Sequence, residues 1–127
     1  MDVTIQSAKS FEKDLSKLSK QERELVIEKV NYCAQVFPLN KAAVYRKMQR
    51  PHTLHLIHSY ESSLYTLKVS LKVRVILAVD EDPIFEQVIF TLFRVIQADE
   101  LDQAYGSIAE PLYQQLLAQE RQTAQML

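Results

Sequence analysis

Apolar residues recur along this chain at two spacings, and the change from one to the other divides it. Phe11, Leu15 and Leu18 follow i, i+4, i+7, which predicts an amphipathic helix from about Ser10 to Leu18. Ser19-Lys-Gln-Glu22 has the spacing of a capping box and predicts a second helix from about Lys20 to Phe37. Its stripe is Val26, Val30, Cys33 and Phe37, and Pro38 ends it because a residue before proline disfavours the helical region. Before these, Val3 and Ile5 flank Thr4 in the alternation of a short edge strand. Two helices so closely linked are expected to form a hairpin on one face of a sheet.

From Leu64 onward the pattern becomes that of strands. Leu64–Val69 and Val73–Asp80 are predicted strands, the latter aliphatic and β-branched as a central strand should be. Asp80-Glu-Asp-Pro83 reads as a turn into a third strand, Ile84–Val95, which completes an antiparallel meander. Between helices and meander, Asn40–Arg50 reads as a short helix or loop, and Thr53–Ser59 as a strand or extended loop. After Gln97 the spacing of Leu101, Tyr105 and Ile108 is helical again. Pro111 suits the first position of a last helix carrying Leu112, Leu116 and Leu117. The order is β-α-α-β-β-β-α, an α+β fold with a helix hairpin on a small, mostly antiparallel sheet. Residues 1–127 are expected to form one domain, with a helical extension over 109–127.

Charge adds what hydropathy does not show. The net charge of −1 conceals 13 Lys/Arg against 7 Asp/Glu in residues 1–74, and 2 against 9 in residues 75–127. Residues 41–74 hold seven cations, Glu61 as their only acid, and all three histidines. Clustered cations attract polyanions through counterion release. With one glycine, neither a GxGxxG fingerprint nor a P-loop can be written. Cys33 is the only cysteine, so no internal disulfide forms and a reducing cytoplasm fits. There is no apolar run of about 18 residues to span a membrane, and Met1–Ile5 lacks the features of a secretory signal.

Lys68, Lys72 and Arg74 stand inside the apolar β-pattern of Ser63–Asp80, with Arg94 near the end of the following strand. A half-buried sheet tolerates cations only where it stays wet, so they mark either an ordinary solvated surface or one built to meet negative charge. The segment Leu64-Tyr-Thr-Leu-Lys-Val69, its turn, and Val73-Arg-Val-Ile76 resemble the RelE/ParE superfamily of small toxins, whose strands read Leu-Tyr-x-Leu-Arg-Val and Tyr-Arg-Val-Ile-Tyr. That element order is the one read above.

The resemblance implies a RelE-like toxin of a toxin–antitoxin system, an endoribonuclease that cleaves mRNA on the ribosome. It implies catalytic roles for Arg74, Lys68 and Arg94, which would hold the phosphate and stabilise the charge that builds during attack by the ribose 2′-OH. Lys72, Lys47, Arg46 and Arg50 are the RNA-binding residues of this reading, with no cofactor and no metal. The chain departs from the pattern in three places. Val73 stands for a tyrosine, the Ser70-Leu-Lys72 turn is one residue longer, and Gln97 and Ala98 stand where active members often carry His and Arg. The alternative is a non-catalytic module on the same fold, either a ParE-like gyrase inhibitor or a protein-interaction protein. Expected partners are an antitoxin protein, the ribosome and mRNA, with no membrane, and a homodimer through the C-terminal helix.

Other candidates carry less chemistry. His52, His55 and His58 are spaced by three but lack the convergent ligands a metal needs, which leaves RNA contact or ordinary loop histidines. Asp80-Glu-Asp82 lacks the alternating oxygens of a calcium loop. Cys33 lies on the stripe of its helix and reads as a core thiol. Tyr105 stands near the family's C-terminal tyrosine, yet also on the Leu101/Ile108 stripe, where a core role is open to it.

Overall fold

The computed structural model describes residues 1–49 and 63–111. Strand β1 (Asp2–Ser7) is followed by α1 (Lys9–Ser16), α2 (Lys20–Val36), α3 (Lys41–Lys47) and the short β2 (Met48–Gln49). Next come β3 (Leu64–Lys68), β4 (Val73–Asp82), β5 (Gln87–Gln97) and a 3-10 turn at Ala98–Glu100. Residues 101–111 are helical and are called α4. The strands form one sheet in the order β1-β5-β4-β3-β2. The meander β3-β4-β5 is antiparallel, as its sequence pattern predicts, and β1 lies parallel to β5.

Local chemistry sets the helix starts. The Ser19 hydroxyl accepts from the Glu22 N–H at 3.2 Å, and the Glu22 carboxylate accepts from the Ser19 N–H at 3.4 Å. Such a cap is worth about 1 kcal/mol. Asn40 Oδ1 accepts from the Ala43 N–H at 3.1 Å and starts α3, which settles the helix-or-loop alternative for this stretch. Val26, Val30 and Cys33 of α2 and Val44 of α3 are buried against the sheet, and the Phe37 ring meets Phe90 edge-on at 5.5 Å.

The sheet is covered on both faces. Val75, Leu77 and Val79 of β4 face the helices α1 to α3, together with Val88, Phe90 and Leu92 of β5. On the other face Leu64, Ile76, Ala78 and Ile96 pack against Ala104, Tyr105 and Ala109 of α4. The central strand is thus apolar on both sides, which explains its unbroken aliphatic run. Among the described residues, the cations of the ladder, Lys68, Arg74 and Arg94, lie towards one end of the sheet.

The meander differs from expectation at three points. β4 continues through Asp82, and the third strand of the meander begins at Gln87 instead of Ile84. The Asp82 side chain accepts from the N–H groups of Ile84 and Phe85 at 3.1 and 3.3 Å, and Glu86 takes a left-handed φ of 50°. This turn chemistry holds residues 83–86 out of the ladder, leaving Ile84 and Phe85 exposed despite their apolar, strand-like look. Residues 101–111 are helical as far as Pro111, and the last helix predicted to run on from Pro111 lies outside the described residues. The third difference is a bulge: Ile76 pairs with Arg94 but Leu77 with Leu92, so Phe93 is an extra residue. Among the described residues, no helix is long and apolar enough to cross a membrane. The Thr53–Ser59 reading and His52, His55 and His58 lie outside the described residues, as do Arg50, Leu112, Leu116 and Leu117.

Candidate nucleic-acid interface

The antiparallel register brings Lys68 of β3 directly opposite Arg74 of β4. Lys72 lies in the turn between them, where its carbonyl accepts from the Ala98 N–H at 2.7 Å. That bond ties the end of β5 to the turn, so Gln97 and Ala98 stand beside the same cations. The Ser70 hydroxyl accepts from the N–H groups of Lys72 and Val73 at 3.3 and 3.2 Å and sets the shape of the longer turn. Arg74 Nη1 donates to the carbonyls of Ser70 and Val73, the latter at 3.1 Å. The guanidinium is therefore held over the turn by one nitrogen. None of Lys68, Lys72 and Arg74 forms an ion pair among the described residues.

Arg94 is arranged differently. Its Nε and Nη2 donate to the two carboxylate oxygens of Asp14 at 2.6 and 3.2 Å, and Asp14 also accepts from the Val95 N–H at 3.1 Å. The bulge at Phe93 turns this stretch towards α1, whose Ser10 hydroxyl donates to the Phe93 carbonyl at 2.7 Å. The bond to Asp14 holds the Arg94 guanidinium even more firmly protonated than usual, against the opposing pull of desolvation. The side chain of Asp14 is 13% exposed and that of Arg94 35%. Here Arg94 closes the junction of α1 with the end of β5.

A second basic locus lies on the helix side. A groove of about 770 Å³ opens between α2, α3 and the edge of β3. Arg46, Lys47 and Lys68 line it together with Lys29, and Glu28 is the only acid among the described lining residues. The Lys47 ammonium sits 4.2 Å from the centre of the Tyr32 ring, a cation–π contact that fixes both. Cys33 lies at the floor; burial raises its thiol pKa, while Lys47 and Lys29 pull it back down. The fold thus brings Lys68, Lys72 and Arg74 together at the sheet end, and Arg46, Lys47 and Lys68 round the groove. Lys68 belongs to both.

Lys29 and Tyr32 were absent from the candidates read in the sequence. A signal for Tyr32 was present, since Glu28, Asn31, Tyr32 and Gln35 follow i, i+3, i+4, i+7 on the outer side of α2. What the sequence did not show was that α3 folds back to face this stripe. Tyr105 is buried, and its hydroxyl donates to the Leu64 carbonyl at 2.8 Å, so here it fastens α4 to β3. Among the described residues no group of three His, Cys, Asp or Glu is placed to hold a metal ion.

No family model matches the chain, and no curated protein matches it. Solved structures do. A chain of the toxin–antitoxin complex RelBE2 from Mycobacterium tuberculosis aligns with 14% identity over 76% of this chain and 99% of its own length, at a TM-score of 0.42. YafQ from E. coli strain BL21(DE3) aligns with 15% identity over 79% of this chain and 98% of its own, at a TM-score of 0.45.

Proposed function

We propose that the chain is a RelE/ParE-like toxin that binds RNA at the Lys68–Arg74 end of its sheet. The observation that carries this reading is the register that sets Lys68 opposite Arg74, beside Lys72, with no carboxylate of the described residues neutralising any of the three. The β3-β4-β5 meander and helix hairpin also support it, because they are the arrangement the sequence resemblance implied. In this reading Arg74 and Lys68 hold the phosphate, Arg46, Lys47 and Lys72 hold its neighbours, and Arg50 extends the basic set. Attack by a ribose 2′-oxygen builds negative charge on the phosphate oxygens, and fixed cations lower the energy of that state. Arg94 joins the phosphate contacts only when Asp14 releases it. Cleavage of ribosome-bound mRNA is the activity of this reading, and an antitoxin protein is its partner.

A second reading, binding without cleavage, is favoured by one specific observation. Gln97 and Ala98 lie beside Lys72 and supply neither an imidazole nor a guanidinium for proton transfer. Induction of the wild-type chain in a bacterial host, with growth and new mRNA 5′ ends recorded, separates the two. Cleavage predicts growth arrest with new 5′ ends, both lost in Arg74→Ala; binding alone predicts RNA affinity without new ends. Arg74→Ala should weaken RNA binding about tenfold and reduce the salt slope by about one unit. Unchanged affinity and slope in Arg74→Ala would remove the sheet end from the site.

A further inference from the structure

We infer that the groove between α2 and α3 receives one unstacked base of the RNA whose phosphates lie on Lys68 and Arg74, and that it sets base preference. This rests on the RNA reading above and adds a subsite to it. The groove, about 770 Å³, lies within the roughly 300–1,000 Å³ of small-molecule pockets and so has room for a nucleotide. Its cations supply the phosphate contacts, and Lys68 both lines the groove and is the register partner of Arg74, so the two loci adjoin at the edge of β3.

The remaining lining is what distinguishes a base from an acidic peptide. Asn31, Gln35 and Gln49 bring three primary amides into the groove, each with both donor and acceptor atoms. Single-stranded RNA is read by such groups on exposed base edges, with the base face against an aromatic ring or a guanidinium plane. Tyr32 supplies that ring: Lys47 covers one of its faces, and the base stacks on the other. The Glu28 carboxylate accepts from an exocyclic amino group, whereas it would repel the carboxylates of an acidic peptide. An acidic segment would engage the cations and leave the amides and the ring without a role.

The test uses the full chain and labelled 2′-O-methyl RNA heptamers, which bind but lack the attacking hydroxyl. Anisotropy titrations against a set of different base compositions are made for wild type, Tyr32→Ala, Tyr32→Phe, Gln35→Ala and Arg74→Ala. Tyr32 and Gln35 are exposed, so their replacement leaves the core intact, and melting curves check this. Loss of one base stack should weaken Tyr32→Ala about 5- to 100-fold, with Tyr32→Phe near wild type. Gln35→Ala should bring the affinity ratio of best to worst heptamer towards one, while Arg74→Ala weakens all heptamers alike. Wild-type behaviour in both Tyr32→Ala and Gln35→Ala, with Arg74→Ala impaired, overturns the groove inference and spares the sheet-end site. No binding of any heptamer by wild type overturns the RNA reading itself. Competition by polyglutamate as effective as that by RNA of equal charge shows an acidic protein segment to be the occupant instead.

Discussion

Strand β4 carries Arg74 at one end and Asp80, Glu81 and Asp82 at the other, and the two ends use their charges in opposite ways. At the acidic end Glu81 and Asp82 build the fold. Glu81 accepts from the Lys41 ammonium at 3.1 Å and from the Tyr45 hydroxyl at 2.8 Å, fastening α3 to the sheet. Asp82 is spent on the turn that follows. At the basic end Lys68 and Lys72 have no such partner among the described residues, and Arg74 is held by one nitrogen only. A cation that no carboxylate of the described residues neutralises remains open to an anionic ligand, and a neutralised one does not. Arg94 shows that the rule follows contacts and not sign, since it is a cation occupied in the same structural way as the acids.

The largest effect should come from adding to the basic end what it lacks. Gln97 is exposed and Ala98 half-buried, both next to Lys72, so larger side chains there reach solvent without disturbing the core. Gln97→His with Ala98→Arg places an imidazole and a guanidinium beside Arg74. A positioned general acid or base contributes about 10²–10⁴-fold in rate, so RNA cleavage should rise by up to that factor. Cleavage assays on ribosome-bound mRNA check it. A double variant no faster than wild type would leave the basic end a binding surface only.

Asp14→Ala should show the difference between an engaged and an available cation. It removes the partner of Arg94 and the acceptor for the Val95 N–H in a half-buried setting. Hydrogen bonds to charged groups are worth about 1.5–3 kcal/mol, and the exposure of Arg94 argues for the lower part, about 2 kcal/mol. For a domain of this size that lowers Tm by about 8 °C. The released guanidinium should also steepen the salt dependence of RNA binding. Unchanged Tm in Asp14→Ala would mean that Arg94 is no structural cation, and the contrast with Arg74 would fail.

Much of this was legible in the sequence where a local rule governs. The Ser19–Glu22 box, the Val26/Val30/Cys33 stripe and the meander each follow from spacing alone, and all appear in the fold. Ile84 and Phe85 misled because their apolar character is strand-like, whereas Asp82 dictates the turn through two N–H bonds. Lys68, Lys72 and Arg74 were found together because they are near in sequence and the register is that of a tight hairpin. The Asp14–Arg94 pair spans eighty residues, and the groove needs α3 to fold back on α2. Pairings at such separation are set by packing, which no local pattern encodes.

The smallest effect tests the acidic end. Glu81→Gln keeps the shape but removes the charge that Lys41 and Tyr45 address. The Lys41 contact is exposed and contributes little, since surface pairs of this kind are worth about 0–1 kcal/mol. The Tyr45 bond is charge-assisted, and its weakening to a neutral bond sets the loss at about 1 kcal/mol in total. Chemical denaturation should therefore show a small fall in midpoint with an unchanged slope. RNA affinity should stay as in wild type, because the substitution lies at the far end of β4. A change in RNA affinity larger than removal of one distant negative charge would produce would place Glu81 in the binding process, and the two ends of the strand would then no longer be separate in function.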